Sequence, residues 1–137
     1  MKRSLSSSTA LLCGALLLSS AAFAQGGDVA KELGAASTHA QLSESSQSVE
    51  VATMHLHHVI NCLVGPHGRD FNAAAGNPCK GMGEGAEKDA QANRAMMTHW
   101  LDQVSHALVS ARRGVAAKNL ADVHKAASGV VQSIVGG

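Results

Sequence analysis

The stretch MHLHHVINCLVGPHG, residues 54–68, holds one Met, four His and one Cys in fifteen positions. It also carries the pattern that decides the fold. Leu56, Val59 and Leu63 step by three and four, the spacing of one face of an α-helix. Gly65 and Pro66 then end that helix, a C-cap glycine followed by a residue that cannot continue it. Working backwards, Leu42, Ser45, Val49 and Ala52 keep the same step. The reading is therefore one continuous helical stripe from about residue 42 to residue 64.

Outward from this helix the chain divides readily. Residues 28–36 can open a short N-terminal helix with Asp28 as its N-cap, weakened at Gly34, and Thr38 with Gln41 offers a second start of capping-box type. Residues 65–85 hold six glycines and both prolines and read as a long irregular segment. A second long helix is expected from about Ala86 to Arg113, with Met97, Leu101, Val104, Leu108, Ala111 and Val115 as its stripe and Gly114 as its C-cap. Its acidic first turn (Glu87, Asp89) and basic last turn (Arg112, Arg113) suit the helix dipole. A third covers about Ala117 to Val135 on Leu120, Val123, Ala127, Val130 and Ile134. The expected fold is all-α: an antiparallel up-and-down bundle of three long helices, with a short N-terminal helix completing four.

The first 24 residues are expected to leave the mature protein. Lys2 and Arg3 precede an apolar run from Ala10 to Leu18, and small residues end at Ala22-Phe23-Ala24, the three-part pattern of a secretory signal peptide. The run is too short to span a bilayer stably. Cys13 sits in its middle and would leave with it. Residues 25–137 then form one domain of about 113 residues. Nine basic residues remain (eleven less Lys2 and Arg3) against ten acidic ones. This balance gives no basic face for nucleic acid and no polybasic membrane signal. The expected location is the periplasm or the outside of the cell, with no membrane span.

Cys62 and Cys79 are the two cysteines of the mature chain. Outside the cytoplasm an even pair reads first as a disulfide. Closing a loop of about 18 residues stabilises by roughly 3 kcal/mol on the chain-entropy argument. The link would tie the far half of segment 65–85 back to the end of the preceding helix, which accounts for so long a loop in a small domain. Tyr is absent and Phe71 and Trp100 are the only aromatics past residue 24. The core must therefore be aliphatic, which suits helices better than β-sandwiches.

The candidate chemistry lies in the histidines. On a helix, His55 and His58 project together, a two-ligand arm whose imidazoles suit zinc and copper. Measured from the loop, Met54 and Met96 are each about eleven residues away. Antiparallel packing would then bring Met96 and His99 level with His55 and His58. A site of His55, His58, His99 and Met96 follows, with copper favoured over zinc by the thioether. Two competing readings stand beside it. His55 and His58 flank the core stripe and can simply cover its edge, or they can sense pH near neutrality.

Other chemistries fare worse. Covalent haem needs C-x-x-C-H, which is missing, and the lack of aromatics disfavours a non-covalent haem pocket using Met54, Met96, Met97, His99 or His124. No C-x-x-C tunes a thiol. The run from Asp70 puts Ala75 and Gly81 where a calcium loop needs Gly and Glu. GMGEG at 81–85 lacks the lysine of a phosphate loop and reads as a flexible helix start. No G-x-S-x-G motif is present, and His99 or His106 with Asp102 reads as a surface hydrogen bond rather than a catalytic pair. No enzyme is expected. If the histidines hold nothing, the remaining reading is an interaction bundle that presents loop 65–85 to a protein partner.

The pairing of LHHVINCLVGP with NPCKG resembles a segment of small exported bacterial helical proteins with no assigned activity. The resemblance covers residues 55–85, about a quarter of the chain. It implies export and the Cys62–Cys79 link, and it implies no enzyme and no particular metal.

Overall fold

The computed structural model describes residues 27–92, 94 and 97–137, and the expected signal peptide and Met96 lie outside them. The described residues are all-helical. In chain order they form α1 (Val29–Ser45), α2 (Val49–Val64), a 3₁₀ turn (Ala73–Ala75), α3 (Ala86–Ala92), α4 (Thr98–Ala116) and α5 (Leu120–Val135). Four helices are thus long, where the sequence pattern suggests three.

The first correction falls in the serine tract. Asp28 caps α1 as expected, accepting from the Lys31 amide at 3.1 Å. The helix then runs straight through Gly34 and Thr38 to Ser45. The continuous stripe from Leu42 into α2 is interrupted instead at residues 46–48. There the hydroxyls compete with the helical backbone. Ser46 donates to Leu42 O at 2.7 Å, and Ser48 accepts from the Val51 amide as the α2 N-cap. Leu42, expected in the core, is exposed. The contacts across the break pair Ser43 with Ala52 and His39 with His55, so α1 and α2 run in opposite directions. His124 Nε2–H donates to Ser46 O at 2.9 Å and fixes the turn against α5.

The second correction divides the expected helix over 86–113 into α3 and α4. The latter extends past Gly114, which is not a cap but a contact point: a Cβ there would collide with Leu56 of α2 and Ala126 of α5. The aliphatic stripes are otherwise where the spacing put them. Leu56, Val59, Leu63, Val104, Leu108, Ala111, Val123, Ala127 and Val130 are all buried.

The segment 65–85 begins and ends at one place. Gly65 and Gly85 both have positive φ, at 70° and 106°, and their backbones cross so closely that a side chain on either would strike the other strand of the loop. Cys62 and Cys79 form the expected disulfide. Arg112 of α4 pairs with Asp70 at 2.8 Å, an exposed ion pair of small energetic value.

The end of the loop rests on two buried carboxyls. Glu32 of α1 accepts the Gly85 amide at 3.0 Å, and Asp89 of α3 accepts the Glu84 amide at 2.9 Å. Glu32 Oε2 is buried without a partner. Burial first, and then the neighbouring Asp89 charge, push the Glu32 carboxyl up to about 7. Its folded value lies above its unfolded one, so the folded state binds the extra proton. That contribution to stability is complete at low pH and is lost as pH rises to about 7. Glu32→Gln, which mimics the protonated group, is therefore expected to gain on the order of 2–3 kcal/mol relative to the wild type between pH 4.5 and pH 8. Urea unfolding of both proteins across that range measures the difference; parallel curves would refute the assignment.

Candidate metal centre

The two histidines of the α2 arm do meet a partner, but it comes from α1. Because the chain reverses at residues 46–48, His39 lies opposite His55 and His58. One ring nitrogen from each of the three lies within 4.8 Å of the others. His39 Nδ1 is 3.2 Å from His55 Nδ1 and 3.3 Å from His58 Nδ1. The ring centroids are 4.6 to 5.7 Å apart, and all three rings are half-buried.

Proton bookkeeping gives this contact its meaning. His58 Nε2 is 2.6 Å from the Ala75 carbonyl. A carbonyl oxygen only accepts, so Nε2 carries the proton and the neutral ring keeps its lone pair on Nδ1. That lone pair points at His39. With neutral rings, either His39 donates from Nδ1 and one proton serves two acceptors, or His55 donates to His39 and two lone pairs face each other. A cation among the three nitrogens satisfies every one of them. The two separations from His39 suit such an ion: metal–nitrogen bonds of about 2.0–2.1 Å at tetrahedral angles separate ligand nitrogens by about 3.3–3.4 Å.

The surroundings of His39 and His55 favour the neutral ring, the form that can ligate a metal. Burial, then the neighbouring His58 and His55, push His39 down to about 4. Burial and His58 also lower His55. Low values keep imidazole lone pairs free of protons at neutral pH.

The loop braces His58 from outside. Asn61, one turn along α2 and fully buried, donates from Nδ2 to Asn72 O at 2.8 Å and to Gly76 O at 2.5 Å. Its Oδ1 accepts the Asn72 amide at 2.8 Å. Both ends of the 3₁₀ turn are thus tied to one side chain, and Ala75 between them faces His58.

Of the other two expected ligands, only His99 falls among the described residues, and it lies elsewhere. His99 opens α4, with its ring 5.3 Å from that of Trp100, in a groove with Asp102, Gln103 and His106. It does not belong to the three-histidine group. Met54 is exposed, and Met96 lies outside the described residues. His57 lines a separate groove with Thr53, Met54 and Lys118. The missed residue is His39. Its signal was the serine tract: a turn centred near Gln47 places residue 39 opposite residue 55.

Comparison with protein-family models, with curated proteins and with solved structures found no significant match.

In the metal-free protein the His39 ring is expected to stay neutral until about pH 4, read from its ¹⁵N shifts. Its folded value is below the unfolded one, so its contribution to stability is present above pH 6.5 and is lost as pH falls towards 4. Titration of His39 near 6.5 would contradict the burial argument.

Proposed function

We propose that this protein is an exported helical bundle that binds one divalent transition-metal ion through His39, His55 and His58. The observation that carries this reading is the convergence of three ring nitrogens while the far nitrogen of His58 is committed to a carbonyl. Three imidazoles and no carboxylate or thiolate within the group suit Zn²⁺ and Cu²⁺, with Cu²⁺ the tighter by the general order of divalent-ion affinity. His99 and Met96 are not needed for it.

Export is proposed on the signal-type first 24 residues and on the resemblance of residues 55–85 to small exported bacterial proteins. The disulfide fits an oxidising compartment. No helix of the described residues is long and apolar enough to cross a membrane. An up-and-down arrangement of the four long helices fits the opposed pairs α1–α2 and α4–α5, the latter paired through Gln103 with Ile134 and Ser110 with Gly129. Presentation of loop 65–85 to a protein partner is the second reading, favoured by the firm attachment of that loop to α2.

Untagged, metal-stripped protein is expected to take up one equivalent of Cu²⁺ or Zn²⁺ and to melt at higher temperature with either ion present. At a free ion concentration 100 times the Kd the gain is about 2.7 kcal/mol. His39→Ala should abolish both effects, and His99→Ala should leave both intact. Unchanged melting of the wild type with either ion would defeat the proposal.

A further inference from the structure

The three-histidine group does not stand alone on α2. His58, Asn61 and Cys62 follow one another at i, i+3 and i+4, so they share a face. All three are bonded to the same loop: His58 to Ala75 O, Asn61 to both ends of the 72–76 segment, and Cys62 to Cys79. The loop in turn returns to its own start at the Gly65–Gly85 crossing. The carbonyl that sets the tautomer of His58 is therefore held by an amide clamp and, three residues past Gly76, by a covalent bond.

We infer that the stapled loop is the outer shell of the metal centre, and that Asn61 and the closed Cys62–Cys79 bond are positioning elements required for full metal affinity. The inference rests on the reading of His39, His55 and His58 as ligands. Its chemistry is simple. A ligating imidazole needs its other N–H bonded, which fixes the tautomer, aims the ring and raises the basicity of the ligating nitrogen. Ala75 O supplies that acceptor. A loop free to move would let His58 exchange tautomers and place a proton on Nδ1, where the ion must bind.

A consequence concerns the order of events during maturation. Closure of the bond removes two electrons and two protons from the Cys62 and Cys79 thiols, taken up by a disulfide-class oxidant that is itself reduced to a dithiol. The reduced chain keeps the three histidines but not the brace. The chain therefore binds metal weakly before oxidation and tightly after it. Cys62 and Cys79 are both buried, so the folded protein keeps the tight form.

The test compares Zn²⁺ binding, by competition with a chromophoric chelator, in four proteins: wild type, His39→Ala, Asn61→Ala with the disulfide intact, and the double variant Cys62→Ser/Cys79→Ser. Circular dichroism of each apo-protein reports folding. Wild type should bind, and His39→Ala should not. Asn61→Ala and the double serine variant should each bind 10–100-fold more weakly while remaining helical. The ¹⁵N spectrum of His58 should change from a single Nε2–H tautomer to a mixture, a readout that loss of stability alone does not move. Should a variant not fold, Cys62→Ala/Cys79→Ala replaces the double serine variant and Asn61→Asp, which lacks the two amide donors, replaces Asn61→Ala. No binding by wild type would sink the ligand assignment itself. Binding by wild type, lost in His39→Ala but undiminished in the Asn61 and cysteine variants, with His58 still a single tautomer, would overturn the outer-shell inference and leave the metal site standing.

Discussion

The buried side chain of Asn61 is the interaction on which the site region depends. A primary amide buried in an aliphatic helix face costs free energy unless its donors and acceptor are all used. Here they are: two carbonyls and one amide of the loop satisfy it. The same bonds satisfy the Asn72 amide and the Asn72 and Gly76 carbonyls at the two ends of the 3₁₀ turn, so the asparagine and the turn support each other. From that mutual support follow the position of Ala75, the tautomer of His58 and the direction of its free lone pair.

The helices around it have a plainer logic. Small and aliphatic side chains allow close approach, as at Gly114, where α2 and α5 both press against α4. With no Tyr and two described aromatics, specificity cannot come from large interlocking rings. It comes from a few buried polar contacts instead. Asn61 holds the loop, Glu32 and Asp89 hold its last residues, and Ser43 and His124 hold the α1–α2 turn. Each sits where two elements meet, which is where an aliphatic core specifies least.

How much of this was legible beforehand depended on the kind of signal. Apolar spacing located the buried faces of α2, α4 and α5 to within a residue or two, because burial leaves a periodic trace. The Cys62–Cys79 bond followed from parity and the expectation of export. The break at 46–48 was hidden because Ser45, Val49 and Ala52 continue the helical step; side-chain hydroxyls, not apolar spacing, end that helix. The break also decides which histidines can meet. With a second helix starting near Thr38 and running unbroken to residue 64, His39 and His55 lie along one helix and cannot face each other, and antiparallel packing points instead to His99 and Met96. Three-dimensional closeness of ring nitrogens has no one-dimensional signature until the turn is known. The abundance of histidine also proved to be several separate uses, with His124 a structural donor and His57 and His99 in different grooves.

The crossing of Gly65 over Gly85 gives the protein a modular boundary. Twenty-one residues leave the helical frame and return to it at a single point, so the chain outside that point does not register how long the excursion is. Lengthening or shortening the loop between its anchors alters one side of the molecule without shifting the register of any helix. The segment that holds His58 is thus separable in length from the helices that build the frame.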